Sequence, residues 1–138
     1  MPKQLDQTFE IMLFFFEISI FFITGSTGSG KTTQVPQYIL DYYRTHGRYC
    51  NILVTQPRRI AAISVARRVA EERNWPLGTL IGYQVARDRN MSEDTRVTYM
   101  TTGVLLQKLI KNKSLGEYTH VILDEVFVSK TLISNLDF

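Results

Sequence analysis

The octapeptide Gly25-Ser26-Thr27-Gly28-Ser29-Gly30-Lys31-Thr32 fits the pattern G-x-x-x-x-G-K-[ST] at every fixed position. No other feature of this chain limits its fold so tightly. A polyphosphate needs many backbone N–H donors converging on it, with no side chains in the way. Three glycines permit so tight a loop, and a helix opening at Lys31 adds its positive N-terminal end. In this arrangement Lys31 reaches the β- and γ-phosphates, the Thr32 hydroxyl binds Mg²⁺, and Thr33 extends the binding turn. The ligand expected is a nucleoside triphosphate, read as ATP with Mg²⁺. The loop follows an apolar run, Ile18 to Ile23, which is expected to be a buried strand feeding it.

The rest of the chain supports an α/β fold. Lys31 to about Thr45 reads as a helix with Val35, Ile39 and Leu40 inward, and Pro36 falls where it bends the early turns. Asn51 to Thr55 is a short apolar strand stopped by Pro57. Ile60 to Asn74 is helical, with Ile60, Ile63, Val65, Ala66, Val69 and Ala70 on one broad side and Arg67, Glu71 and Arg73 outward. Leu80 to Val85 and Arg96 to Met100 are expected strands, Val104 to Lys111 a helix, and Thr119 to Leu123 a further buried strand. Such alternation implies a mostly parallel sheet with helices on both faces. A length of 138 residues suits one domain, and 44% apolar with 21% charged residues suits a buried core. The formal charge of +3 leans toward an anionic partner without requiring one. A single cysteine, Cys50, excludes an internal disulfide. The apolar run Ile11 to Ile23 is too short to span a bilayer, lacks a basic leader, and is interrupted by Glu17, so no membrane role is expected. The Phe14-Phe15-Phe16 run has no assigned role.

Three further segments carry candidate chemistry. Asp124 and Glu125 end the apolar run Val121-Ile122-Leu123, at the strand end that faces the ligand crevice of a parallel sheet. Asp124 there holds Mg²⁺ through water, and Glu125 orients or deprotonates the attacking water. The plain alternative is a solvated strand end. Arg58 and Arg59 stand just beyond another strand end, able to contact nucleic-acid phosphates or simply to face solvent. Thr101, Thr102 and Gly103 occupy a strand-to-helix junction that either grips a phosphate or caps the helix through Thr102.

GSTGSGKTTQ (25–34), TQPRRIAA (55–62), YMTTGVLL (99–106) and VILDEV (121–126) occur in an order and spacing that resemble the first RecA-like domain of DEAH-type RNA helicases. Tyr49-Cys50, the stretch Glu72 to Gly78, Gly82-Tyr83-Gln84-Val85 and Glu93-Asp94-Thr95-Arg96 resemble the tudor-domain-containing branch called spindle-E, which serves the piRNA pathway. The resemblance implies a RecA-like P-loop NTPase domain over residues 23–126, an apolar N-terminal segment with the first strand over 1–22, and a divergent tail over 127–138. It implies ATP-dependent action on single-stranded RNA, with Lys31, Asp124 and Glu125 catalytic, and Arg58, Arg59, Thr101, Thr102 and Gly103 on the RNA backbone. Arg68 matches an arginine that stacks on the adenine. A second RecA-like domain is implied as partner, as is a cytoplasmic location, with perinuclear granules. Two departures stand out: the family's D-E-x-H has Phe127 at its fourth position, and both chain ends leave the family pattern. An incomplete gene model or spliced fragment is therefore expected, one that binds ATP without unwinding. A non-enzymatic nucleotide- or RNA-binding fragment is the second reading. A small-substrate P-loop kinase would explain the loop but not TQPRR, TTG and DEV at these spacings.

Overall fold

Short β-branched runs set the centre of this molecule. Ile52-Leu53-Val54-Thr55-Gln56 is buried at every position, as a strand covered on both faces must be. The computed structural model describes residues 9–15, 18–23 and 30–123. The order of elements is β1 (Phe9–Phe15), β2 (Ile18–Ile23), α1 (Lys31–Thr45), β3 (Ile52–Gln56), α2 (Arg59–Glu72), β4 (Ile81–Val85), β5 (Asp88–Asn90), β6 (Val97–Thr101), α3 (Thr102–Asn112) and β7 (His120–Leu123). Among these residues the sheet runs β1-β2-β7-β3-β6-β4-β5. The five inner strands are parallel, and β1 and β5 close the two edges antiparallel.

Side chains alternate along each strand, so the core divides in two. Ile52, Val54, Val97, Tyr99 and Ile122 pack with Val35 and Leu40 of α1 and Ala62, Ala66, Val69 and Ala70 of α2. Leu53, Met100, Val121 and Leu123 pack on the other side with Val104, Leu105 and Leu109 of α3. Helices therefore cover both faces, and the α/β expectation stands.

Four local expectations are corrected. Ile60 is 79% exposed rather than inward. It sits near 180° around the helix from Val69, at the usual 100° per residue, and so faces away from the sheet. Arg73 is not outward: its guanidinium grips both carboxylate oxygens of Asp41 on α1 and also donates to Gln37. The helix stops at Glu72, before Asn74, because Asn74 takes a left-handed φ of 53°. The strands β1 and β5 were not anticipated. The first includes Phe14 and Phe15 and pairs with β2; the second is the polar triplet Asp-Arg-Asn, turned back at Arg87, φ 64°.

His120, 5% exposed at the start of β7, meets the Tyr43 ring edge-on, with its Nδ1 2.8 Å from the Thr119 hydroxyl. Burial lowers its pKa from 6.5 to about 4. Between those values the unfolded chain takes a proton that the folded chain refuses, so stability falls as pH drops through that window. The loss approaches about 3 kcal/mol. Urea unfolding at pH 7 and pH 4.5 measures it, and His120→Gln is expected to shrink the difference between the two. Cys50 is buried and its thiol pKa is raised by that burial, which leaves it unsuited to nucleophilic work.

Candidate functional site

The start of α1 is set by Gly30, which holds φ 76° and ψ 8°. This left-handed conformation is easy for glycine and strained for residues with a Cβ. Its carbonyl accepts from the backbone N–H of Thr33 at 3.2 Å and Gln34 at 2.8 Å, and from the Thr33 hydroxyl at 3.0 Å. Lys31 and Thr32 thus open a fifteen-residue helix directly after a sharp turn. Gly25, Ser26, Thr27, Gly28 and Ser29 lie outside the described residues, as do Asp124, Glu125 and Phe127.

Parallel register gathers the remaining candidates. Leu123, at the end of β7, pairs with Phe22 of β2 on one side and Thr55 of β3 on the other. Gln56 in turn pairs with Thr101 of β6. The strands leading to the glycine loop, Asp124-Glu125, Arg58-Arg59 and Thr102-Gly103 therefore all finish at the same, carboxyl-terminal, end of the sheet. From β3 the chain leaves to α2 on one face, and from β6 to α3 on the other. Adjacent parallel strands whose helices diverge in this way leave a crevice at their carboxyl ends.

Arg58 precedes α2 in an extended conformation, φ −117°, and Arg59 begins the helix; both are exposed. The cap of α3 is Thr101 rather than Thr102, and it makes no side-chain cap bond. Thr102 instead turns its hydroxyl to the Gln56 carbonyl at 3.5 Å, which ties the two junctions together. Gly103 is exposed, and a Cβ added there would meet nothing within 4 Å.

Arg68 stands exposed on α2 with its Nε 3.3 Å from Glu72 Oε1. The other Glu72 oxygen accepts from Gln37 Nε2 at 3.2 Å, and that amide also donates to the Thr33 carbonyl at 2.7 Å. A polar chain thus connects Arg68 with the first turn of α1. Across the sheet, the fully buried Tyr99 of β6 donates its hydroxyl to the Thr32 carbonyl at 2.8 Å.

The DEAD/DEAH box helicase family model matches residues 6–129. This chain belongs to that family. The helicase domain is 58% identical over 108 residues to the ATP-dependent RNA helicase TDRD9 of Rattus norvegicus, spanning 78% of this chain and 8% of that protein. The human protein of the same name gives 58% over 108 residues, with the same shares. The probable ATP-dependent RNA helicase spindle-E of Anopheles gambiae is 62% identical over 104 residues, 75% of this chain and 7% of that protein. The chain therefore spans under a tenth of the length of these relatives.

Three residues of this helicase domain escaped sequence reasoning: Gln37, Glu72 and Tyr99. A signal existed for Tyr99. A proline one turn into a helix removes the N–H that would have served the carbonyl four residues earlier, and so calls for a donor from elsewhere. No comparable signal marked Gln37, a buried polar residue one turn from Thr33 and from Asp41 on α1.

Proposed function

We propose that this chain is the ATP-binding domain of an ATP-dependent RNA helicase, holding Mg²⁺-ATP at the loop from Gly25 to Thr32 and single-stranded RNA at the neighbouring strand ends. The observation that carries this reading is the parallel register: Phe22, Leu123, Thr55 and Thr101 bring the carboxyl ends of the four motif-bearing strands to the same end of one sheet. The residues fit the ligand. A left-handed glycine opens α1, Thr32 stands in its first turn, and Asp124 follows the strand paired with the one that precedes the loop.

When bound, Mg²⁺-ATP supplies the transferable phosphoryl group together with the metal's charge on its oxygens. Backbone amides of the glycine loop and the Lys31 ammonium bind and orient the phosphates. Thr32 and Asp124 fix the metal, and Glu125 orients the attacking water and takes its proton. Arg68, steadied by Glu72, stacks on the base. Arg58, Arg59, Thr101, Thr102 and Gly103 grip the RNA backbone, with the crevice between β3 and β6 as the track. The full-length protein couples hydrolysis to RNA remodelling through a second RecA-like domain, and works in the cytoplasm, in perinuclear granules of the piRNA pathway. Among the described residues no helix is long and apolar enough to cross a membrane.

Binding of a fluorescent single-stranded oligouridylate as a function of salt tests the RNA half of this reading. Each arginine on a phosphate adds about 0.7 to the slope of log affinity against log salt. The double variant Arg58→Ala/Arg59→Ala is expected to bind roughly tenfold or more weakly, with a slope smaller by about 1.4. An unchanged slope would remove both arginines from the interface.

A further inference from the structure

Helix α1 contains a defect close to its ligand-binding end. Pro36 has no backbone N–H, so the helical bond from residue 36 to the Thr32 carbonyl cannot form. The Tyr99 hydroxyl stands where that donor is missing, 2.8 Å from the Thr32 oxygen. Tyr99 is fully buried in the middle of β6, paired with Val54 of β3 on one side and Tyr83 of β4 on the other. Both ends of this contact are therefore tied to the core, one to a central strand and one to the first turn of the helix. A packed ring has little freedom to move, so the hydroxyl fixes the height of that turn above the sheet. Two residues further along β6 comes Thr101, the first of the junction residues assigned to RNA. One side chain thus joins the strand that ends at the RNA junction to the turn that carries Thr32.

We propose that Tyr99 is a positioning residue for the nucleotide site: its hydroxyl replaces the donor lost at Pro36 and holds the Thr32 turn where the Thr32 hydroxyl meets Mg²⁺. The proposal rests on the reading of Gly25 to Thr32 as a Mg²⁺-ATP loop. It implies that Tyr99 acts on metal-dependent affinity more than on binding of the phosphates as such. Lys31 and the loop amides contact phosphate whether or not the metal is present, whereas Thr32 contributes through the metal.

Pro36 makes the idea separable from a general loss of stability. Pro36→Ala restores the backbone N–H, and with it a helical donor for the Thr32 carbonyl. The experiment uses the full chain in four forms: wild type, Tyr99→Phe, Pro36→Ala and the double variant. Equilibrium dissociation constants for ATP are measured with Mg²⁺ and with EDTA, beside ligand-free melting curves. Tyr99→Phe is expected to raise the Kd in Mg²⁺ about fivefold to tenfold, in line with a lost hydrogen bond, and the Kd in EDTA less than about twofold. In the Pro36→Ala background, Tyr99→Phe is expected to leave the Mg²⁺ value within about twofold.

If Tyr99→Phe lowers the melting temperature and leaves both dissociation constants alone, the residue is structural and the proposal fails. It fails equally if the double variant stays weakened in Mg²⁺, because the restored donor would then have made no difference. Should Tyr99→Phe not fold alone, the comparison of Pro36→Ala with the double variant decides on the same terms. If wild type binds no ATP in either buffer, the nucleotide reading falls and takes this one with it. That outcome is distinct from a wild type that binds and a Tyr99→Phe that binds as well.

Discussion

Replacing Lys31 by alanine is expected to erase most of the thermal stabilisation that Mg²⁺-ATP confers on this chain. The lysine begins α1 directly after the left-handed turn at Gly30, so backbone geometry fixes its place in the first turn of that helix. Its ammonium is the single cationic side chain in the octapeptide. A hydrogen bond between charged partners is worth about 1.5–3 kcal/mol, so its loss weakens binding on the order of 10- to 100-fold. At an ATP concentration of about 100 times the wild-type Kd, ligand stabilises the folded state by about 2.7 kcal/mol. A Kd raised about 100-fold leaves about 0.4 kcal/mol under the same conditions. For a domain of this size, wild type should therefore melt several degrees higher with Mg²⁺-ATP, whereas Lys31→Ala should scarcely move. Differential scanning fluorimetry with and without ligand reads both. Equal shifts in the two proteins would show that the loop does not hold the phosphates.

Much of this architecture could be read from residue order because local and long-range requirements agree. The run Ile52 to Thr55 is apolar at nearly every position, which only a strand covered on both faces satisfies. The helix of Lys31 to Thr45 was legible from its apolar spacing and from the glycine turn before it. What escaped notice depends on contacts remote in sequence. Three polar residues form β5 because Tyr83 and its neighbours on β4 present an open edge, and no periodicity in Asp88-Arg89-Asn90 announces that. A charged residue on a helix ordinarily points outward, but Asp41 and Gln37 of α1, thirty-odd residues away in sequence, hold Arg73 back. Ile60 failed for a simpler reason: apolar side chains near a helix start are not all inward, and Val69 lies on the opposite side. The site divides in the same way. Gly30, Arg58, Arg59, Thr101 and Thr102 could be placed in the chain from motif and junction, because the carboxyl ends of parallel strands lie at the same end of a sheet. The Tyr99 hydroxyl on Thr32 spans 67 positions and becomes visible only when β6 is seen beneath α1.

Turnover is where the 138 residues and the whole protein are expected to differ most. Charge develops on the oxygens of the transferring phosphoryl group, and catalysis of this step consists mainly of placing cations and dipoles against it. Of the residues assigned to the phosphates here, Lys31 alone carries a positive charge, since Arg68 is assigned to the base and Arg58 and Arg59 to RNA. On the function proposed above, further arginines would be supplied to these phosphates by a second RecA-like domain of the full-length protein. An arginine supplied in this way is worth about 10³–10⁵ in rate in other phosphate-loop enzymes. The purified chain should accordingly bind Mg²⁺-ATP yet release phosphate at close to background, with or without RNA, and should separate no duplex. Joining it to a second domain bearing those arginines should raise hydrolysis by about 10³-fold or more. Malachite-green phosphate release at saturating Mg²⁺-ATP measures both. The same preparation must show the ATP-dependent melting shift, so that silence reports absent chemistry rather than an unfolded sample. RNA-stimulated turnover near 1 s⁻¹ by the chain alone, on the order of an ordinary enzyme, would mean that these residues complete the site without help. The division of labour between two domains would then have to be abandoned.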